Sequence, residues 1–160
     1  MPRVISFAWE SLDRMLNDGL EALALRDWEE VEVDHAAQPH DPDWDFYRQQ
    51  NAVGAYRIIA ARRNGRLIGY NAFFIGNHSR HRGLIFAQND VLYLDPTQRR
   101  GMVGVRFLTE SAAMLKRAGV VKVRYDSMRN VRLGAHEGTL GDLFEKLGYT
   151  LEAEVFTKLL

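Results

Sequence analysis

The sequence predicts an α/β fold in which helices cover a mixed β-sheet. Two observations lead to this prediction. The first is a pair of apolar, β-branched and aromatic segments on either side of Asn64-Gly65, a dipeptide that favours a two-residue hairpin turn. The second is the order of the predicted elements, which is two helices, three strands, a helix, a strand, a helix and a final strand.

The length and composition fit one domain. With 160 residues, of which 46% are hydrophobic, the chain can bury a substantial core, and we expect a single domain over residues 1–160. The 21 basic residues equal the 21 acidic ones, so no global field would draw the protein to nucleic acid or to an anionic membrane. The absence of cysteine excludes a disulfide framework, a thiolate zinc site and a cysteine nucleophile.

The first ten residues argue against secretion, because Glu10 arrives before the apolar stretch of a signal peptide can form. No window of the sequence has the eighteen or more consecutive apolar residues that a membrane-spanning helix needs. We therefore expect a cytoplasmic protein without a membrane partner.

The amino-terminal part reads as helical. Apolar residues recur every three to four positions from Glu10 to about Val31, which predicts one amphipathic helix that Gly19 weakens without breaking. A loop follows over residues 34–42. Asp43 is placed to cap a second helix from Trp44 to Ala52.

The rest of the chain alternates strands and helices. The hairpin strands cover residues 55–63 and 66–75, and a polar connection over 76–83 leads into a central strand over 84–94. The later predicted elements are a long helix that ends near Ala118, a strand over 120–125, a helix over 140–147 and a final strand over 149–160.

The segment from Gln98 to Gly104 has the form of a phosphate-binding turn. It connects a strand to a helix, whose first amides are unpaired and whose dipole favours a negative charge. Arg99 and Arg100 could add pairing to a phosphate. The alternative is that Gly101 and Gly104 only permit a tight turn and close helix packing.

This segment and its surroundings resemble the Gcn5-related N-acetyltransferase (GNAT) superfamily. The similar stretches are Leu92 through Asp95-Pro96 to Gly104 with Phe107-Leu108, the preceding hairpin, the helix-to-strand join at 118–123, and Leu143 to Tyr149. The resemblance implies a mixed central sheet of about six strands flanked by about four helices. Arg106, two residues beyond the second glycine, resembles the small bacteriophage-type branch of bacterial and phage proteins.

The resemblance implies an enzyme that moves an acetyl group from acetyl-CoA to an amine of a small molecule or protein by direct attack on the thioester. The pantetheine arm would lie along the backbone of a splayed strand, and the pyrophosphate would lie on the amides of the following turn. Arg100 and Met102 stand where the family commonly has glycine. The implied cofactor-binding residues are Leu92, Tyr93, Leu94, Arg99, Arg100, Gly101, Met102, Val103 and Gly104.

Asp90 is the candidate general base, because a carboxylate can take a proton from an amine that is mostly protonated at neutral pH. The alternative is a buried aspartate bonded to backbone or to an arginine. Phe144 matches the position of the family's frequent tyrosine and cannot donate a proton. His136 is the candidate acid, with Tyr125 or water as substitutes, although a thiolate leaves readily without a donor.

The acceptor site is least defined by the sequence. His78 and His81, on the polar segment 77–82, could hold an acidic or phosphate-bearing acceptor, or could belong to a solvated loop. Tyr47 could line the acceptor cleft, although aromatic residues on a helix are more often part of the core. We expect no metal site, no nucleic-acid partner, and a monomer or homodimer.

The sequence also leaves a second function open. Because of Phe144 and the altered glycines, the chain could be a catalytically weak or inactive GNAT-like domain that binds coenzyme A or a protein partner without turnover.

Overall fold

The computed structural model describes residues 4–128 and 138–160. The chain divides into two compact units, Met1–Tyr125 and Asp126–Leu160. The described part of the first unit contains one five-stranded sheet, and that of the second contains one α-helix. Within the described ranges, every helix is too short or too polar to cross a bilayer.

The strands are β1 (Ile5–Glu10), β2 (Tyr56–Arg63), β3 (Arg66–His78), β4 (His81–Leu94) and β5 (Val120–Arg124). The helices are α1 (Leu12–Asn17), α2 (Leu20–Val31), α3 (Trp44–Ala52), α4 (Val103–Arg117) and α5 (Leu140–Lys146), with a single 3₁₀ turn at Pro96–Gln98.

The sheet has the order β1-β2-β3-β4-β5. The first four strands are antiparallel neighbours, and β5 is parallel to β4 after the crossover through α4. The predicted α/β class with a mixed sheet is confirmed. Five strands and five α-helices are described, which differs slightly from the expected six and four.

The prediction of one helix from Glu10 to Val31 is wrong. Residues 5–10 form β1, and Gly19, with a φ of +97°, separates α1 from α2. Asp18, just before this glycine, accepts a 2.6 Å hydrogen bond from Arg62, which also pairs with Glu10 of β1. Because the left-handed conformation is incompatible with a continuous helix, the glycine ends α1. The ion pairs of Arg62 with Asp18 and Glu10 then tie the end of α1 to β1 and β2.

The hairpin at Asn64-Gly65 is confirmed. Both residues have positive φ, 50° and 81°, as a two-residue turn with the twist of the strands requires. The predicted polar connection over 76–83 is wrong, because β3 continues to His78 and β4 begins at His81. The two strands therefore stay hydrogen-bonded through their polar ends. The polarity of residues 76–83 had indicated a loop there instead.

The predicted final strand over 149–160 is wrong for the described structure. No residue of this segment is in a strand, and Leu151 to Leu160 are exposed. Leu151, Ala153 and Val155 alternate with Glu152 and Glu154, a pattern typical of a strand with one buried face. In the described structure the segment joins no sheet, so the pattern alone did not decide its conformation.

Two predicted helices agree with the structure. Helix α3 begins after Asp43, whose side chain accepts a 2.9 Å hydrogen bond from the amide of Phe46. Helix α5 begins with a reciprocal cap between Thr139 and Asp142.

Apolar clusters lie on both faces of the sheet. One joins α1 and α2 to the sheet through Leu12, Met15 and Leu20, packed near Ile58 and Tyr70. The other joins α4 to the opposite face and includes Phe107, Leu115, Phe73, Ile59 and Val120. The sheet therefore lies between two helical layers, with β3 as its central strand.

Gly69 of β3 provides a stability prediction. A Cβ atom at this position would lie 2.5 Å from the carbonyl oxygen of Tyr93, so neighbouring backbone would have to move. We expect Gly69→Ala to lower the free energy of unfolding by about 2 kcal/mol, measured by urea denaturation. Gly76→Ala in the same strand is the matched control, because a Cβ there meets nothing within 4 Å. Equal effects of the two substitutions would contradict this expectation.

Candidate functional site

Asp90 lies at a bulge in β4. The pairing of β3 with β4 passes from Ala72↔Val91 to Phe73↔Asn89, so Asp90 has no cross-strand partner. A bulge adds one residue to a strand and changes the direction in which its side chain points. The sequence placed Asp90 within a strand but gave no indication of the bulge.

Two asparagines hold the bulge in place. The Asn89 amide donates to Asn71 Oδ1 at 2.8 Å, and to the carbonyls of Ala72 and Val91 at 3.0 Å. The Asn71 amide in turn donates to Ser111 Oγ at 3.1 Å and to Tyr125 Oη at 3.0 Å. Sequence reasoning missed this network, although a polar Asn71 inside an apolar strand could have revealed it.

Beyond the bulge, the sheet opens. Strand β5 pairs with β4 only from Ile85↔Val120 to Gln88↔Arg124. Strand β4 continues to Leu94, and no strand of the described chain lies beside its last six residues on that side. Leu92, Tyr93 and Leu94, which were predicted to meet the pantetheine arm, belong to this open segment.

Helix α4 begins shortly after the open segment of β4. Met102 precedes the helix, and no side chain in the described ranges caps its first turn. Gly101 has a φ of +69°, which a tight turn requires. A Cβ on Gly104 would meet nothing within 4 Å, so close helix packing does not explain this glycine. The open amides and the space at Gly104 fit a phosphate-bearing ligand.

Arg99 is engaged within the protein. Its guanidinium donates to Leu94 O at 2.7 Å and to Glu30 Oε2 at 2.6 Å. This side chain therefore ties α2 to the end of β4 and is not directed at a ligand. Arg100 and Met102 are exposed beside the turn.

Tyrosines surround the Asp90 carboxylate. Tyr56 of β2 donates a 3.1 Å hydrogen bond to Asp90 Oδ2, and Tyr47 of α3 also bonds to this carboxylate. The rings of Tyr47 and Tyr56 are 4.8 Å apart. The structure thus brings Tyr47, a predicted acceptor-site residue, to the predicted base Asp90, and it adds Tyr56, which the sequence did not indicate.

Loss of solvent around its carboxylate raises the pKa of Asp90, while the hydrogen bonds from Tyr56 and Tyr47 lower it, and the result is a raised pKa. The residue is still exposed at the surface. A carboxylate in this setting is accessible to a substrate and is a stronger base than an ordinary aspartate.

Asp27 of α2 is a second carboxylate near this site. Burial raises its pKa to about 7, and the negative charges of Glu30 and Asp90 act in the same direction. The sequence contained a signal for it, because position 27 falls on the same helix face as buried Leu20, Leu23 and Ala24. A charged residue within an apolar stripe is a candidate functional residue.

Asp27 makes stability depend on pH. Its pKa is about 7 in the folded protein and 3.8 in an unstructured peptide, so the folded state holds more protons between these values and stability falls as pH rises through this window. We expect Asp27→Asn to raise the free energy of unfolding near pH 8 by a few kcal/mol at most, because one pKa unit corresponds to about 1.4 kcal/mol. Near pH 4 the substitution should change little. Urea denaturation at both pH values tests this, and an equal effect at both would contradict it.

The other predicted residues lie apart from Asp90 or outside the described ranges. His78 and His81 are at the tip of the β3–β4 hairpin, and His81 is nine strand residues, about 30 Å, from Asp90. His136 lies outside the described residues. Phe144 is buried in the second unit, with its ring 5.1 Å from that of Tyr149. Within the described ranges, no group of three or more potential ligands could hold a metal ion.

No protein-family model matches the sequence, and no curated protein sequence matches it either. Solved structures do match its fold. A ribosomal-protein-alanine N-acetyltransferase from Brucella melitensis biovar Abortus superposes with a TM-score of 0.72 at 16% identity, over 98% of this chain and 100% of that one. A GCN5-related N-acetyltransferase from Ralstonia eutropha gives 0.72 at 15%, over 98% and 99%. An aminoglycoside acetyltransferase from an uncultured soil metagenomic sample gives 0.71 at 13%, also over 98% and 99%.

The chain has the fold of the GNAT acetyltransferases. At these identities, the likeness concerns the fold alone. Within the GNAT fold, the bulge of β4, the open strand edge and the start of α4 are contiguous in the chain, from Asn89 to Gly104.

Proposed function

We propose that this protein transfers an acetyl group from acetyl-CoA to an amine of a small molecule or protein. The observation that supports this most strongly is the placement of Asp90 at a bulge, directly before an open strand edge and an uncapped helix start. The fold shared with several acetyltransferases agrees with this proposal.

The residues present fit coenzyme A. The backbone of β4 at Leu92 to Leu94 would hold the pantetheine amides, and the amides from Arg100 to Gly104 would hold the diphosphate. The space beside Gly104 supports this assignment. Bound acetyl-CoA would supply the acetyl thioester. Arg99 contributes by fixing the turn, since its guanidinium is already paired with Glu30.

Asp90 would take a proton from the ammonium group of the acceptor, directly or through water, so that the neutral amine can attack. Tyr56 and Tyr47 orient this carboxylate and limit the rise of its pKa. No step requires His136, since a thiolate departs without a donor.

The proposal also covers the acceptor, the localisation and the oligomeric state. The structurally similar enzymes include one named for ribosomal-protein alanine and one named for aminoglycosides, and both names denote amine acceptors. For this chain we propose a cytoplasmic, single-domain protein of the small phage-type branch that is a monomer or homodimer, without a metal ion or a nucleic-acid partner.

Two measurements test the function. Calorimetry with acetyl-CoA should give saturable binding, and release of free thiol should accelerate when an amine acceptor is added. Absence of binding at millimolar acetyl-CoA would refute the proposal. Binding without thiol release across a broad amine panel would favour the alternative of an inactive coenzyme-A-binding domain.

A further inference from the structure

Positive charge gathers on one part of the first unit. His78, Arg80 and His81 lie at the hairpin between β3 and β4, and β5 adds Lys122 and Arg124. We refer to these five residues as the basic face. The whole chain has 21 basic and 21 acidic residues, so this concentration does not follow from composition.

The charges of the basic face act on His78. The pKa of His78 is lowered, first by loss of solvent around its ring and then by the positive charges of His81, Arg80, Arg124 and Lys122. None of the ion pairs found among the described residues includes Arg80 or Arg124. Because the lowered pKa favours the neutral ring of His78, the attraction for an anion comes from Arg80, Lys122 and Arg124.

The basic face and Asp90 share one side of the sheet. Gln88 pairs across the sheet with Phe74 and Arg124, and the side chains of such partners point to the same side. The Phe74 ring packs 4.9 Å from the ring of Tyr56, whose hydroxyl bonds Asp90. In the same way, Phe86 pairs with Lys122, whose Nζ lies 5.9 Å from the centre of its ring.

The rise per residue of a strand sets the distance between Asp90 and the basic residues. Gln88 is two residues from Asp90 and Phe86 is four, which correspond to about 7 and 13 Å along β4. Arg124 and Lys122 stand beside these two residues. This side of the sheet therefore has the carboxylates of Asp90 and Asp27 at one end. The positive side chains of Arg124 and Lys122 follow at increasing distance from Asp90.

We propose that the acceptor is an acidic peptide segment, which places its amine at Asp90 and its carboxylates on the basic face. This inference rests on the proposed acetyl transfer, because it uses Asp90 as the amine end. The negative charge at Asp90 and the positive charge on the basic face would fix the direction in which the peptide binds. Polycationic acceptors are disfavoured, since the basic face repels them.

The arrangement of the rings favours a peptide over a nucleic acid. The ring of His78 packs 4.4 Å from that of Phe86 and 4.8 Å from that of His81. Single-stranded nucleic acids bind through bases that stack on exposed ring faces, and here the rings stack on each other. Nucleophilic alkyl amines are also absent from nucleic acids and present at peptide amino termini and lysines.

The test compares two peptides with a free amino terminus and no lysine, identical except for glutamate or glutamine at the third to fifth positions, which span the spacing above. At low salt we expect kcat/KM for the glutamate peptide to be about tenfold higher, and the difference to shrink as salt is added. The double variant Lys122→Gln/Arg124→Gln should lose this preference. Lys116→Gln/Arg117→Gln, on the exposed last turn of α4, is the control that should keep it. Equal kcat/KM for the two peptides in the wild-type protein would overturn the inference and leave acetyl transfer intact.

A measurement of peptide binding tests the acidic-peptide surface independently of acetyl transfer. Fluorescence anisotropy with labelled versions of the same peptides requires no turnover. Tighter binding of the glutamate peptide, lost in the Lys122/Arg124 double variant, supports the acidic-peptide surface even if no thiol is released. Equal binding of both peptides overturns it, as does tighter binding of a single-stranded oligonucleotide of the same length.

Discussion

Gly104→Ala should weaken coenzyme A binding at least tenfold while the protein stays folded. The glycine lies in the first turn of α4, and a Cβ there meets no protein atom within 4 Å, so the methyl group would project into the space assigned to the diphosphate. Alanine is also a better helix former than glycine by up to about 1 kcal/mol, so unfolding should become slightly harder. Calorimetry and urea denaturation together measure these opposite effects.

Thr109→Ala is the control for this substitution, because Thr109 is exposed on the same helix, more than a turn away from Gly104. It should leave the affinity for coenzyme A unchanged. Unchanged affinity in Gly104→Ala would place the diphosphate elsewhere on the protein.

Asp90→Asn should lower turnover by about 100-fold or more, in the range that general-base catalysis contributes. Affinity for acetyl-CoA should stay within about twofold, since the side chain faces Tyr56 and Tyr47 and not the start of α4. The wild-type rate should fall as the pH is lowered through the raised pKa of Asp90, because the protonated carboxyl cannot accept a proton. This acidic limb should be missing in the variant. Steady-state thiol release across a pH series measures both quantities.

Asp45→Asn, at an exposed position of α3, is the matched control and should show the wild-type rate and acidic limb. An acidic limb that survives in Asp90→Asn would assign the base to another group, of which Asp27 is the first candidate because its pKa is also raised.

Local patterns predicted the middle of the fold well. The Asn64-Gly65 turn, the strands around it and the helices at Trp44 and Leu140 follow from turn chemistry, periodicity and capping, which act between residues close in sequence. The division at Gly19 was missed because it depends on Arg62 meeting Asp18, a contact between residues far apart in the chain.

The candidate site was predictable only in part. Asp90 and the turn at Gly101 to Gly104 are visible in the sequence because they are contiguous with a strand and a helix. The bulge and the Asn71–Asn89 hydrogen bond arise from the register of β3 with β4, and the tyrosines reach Asp90 from β2 and α3. A single sequence specifies neither arrangement. The place of Tyr56 beside Asp90 is therefore visible only in the assembled sheet, whereas Asp27 could have been found from its position on the apolar face of α2.

Amide hydrogen exchange with and without coenzyme A tests the central claim most directly. We predict slowed exchange of the amides from Arg100 to Gly104 and along Leu92 to Leu94 when coenzyme A is added, with little change in β1. Protection confined to another part of the chain, or no change in these two segments at saturating coenzyme A, would contradict it.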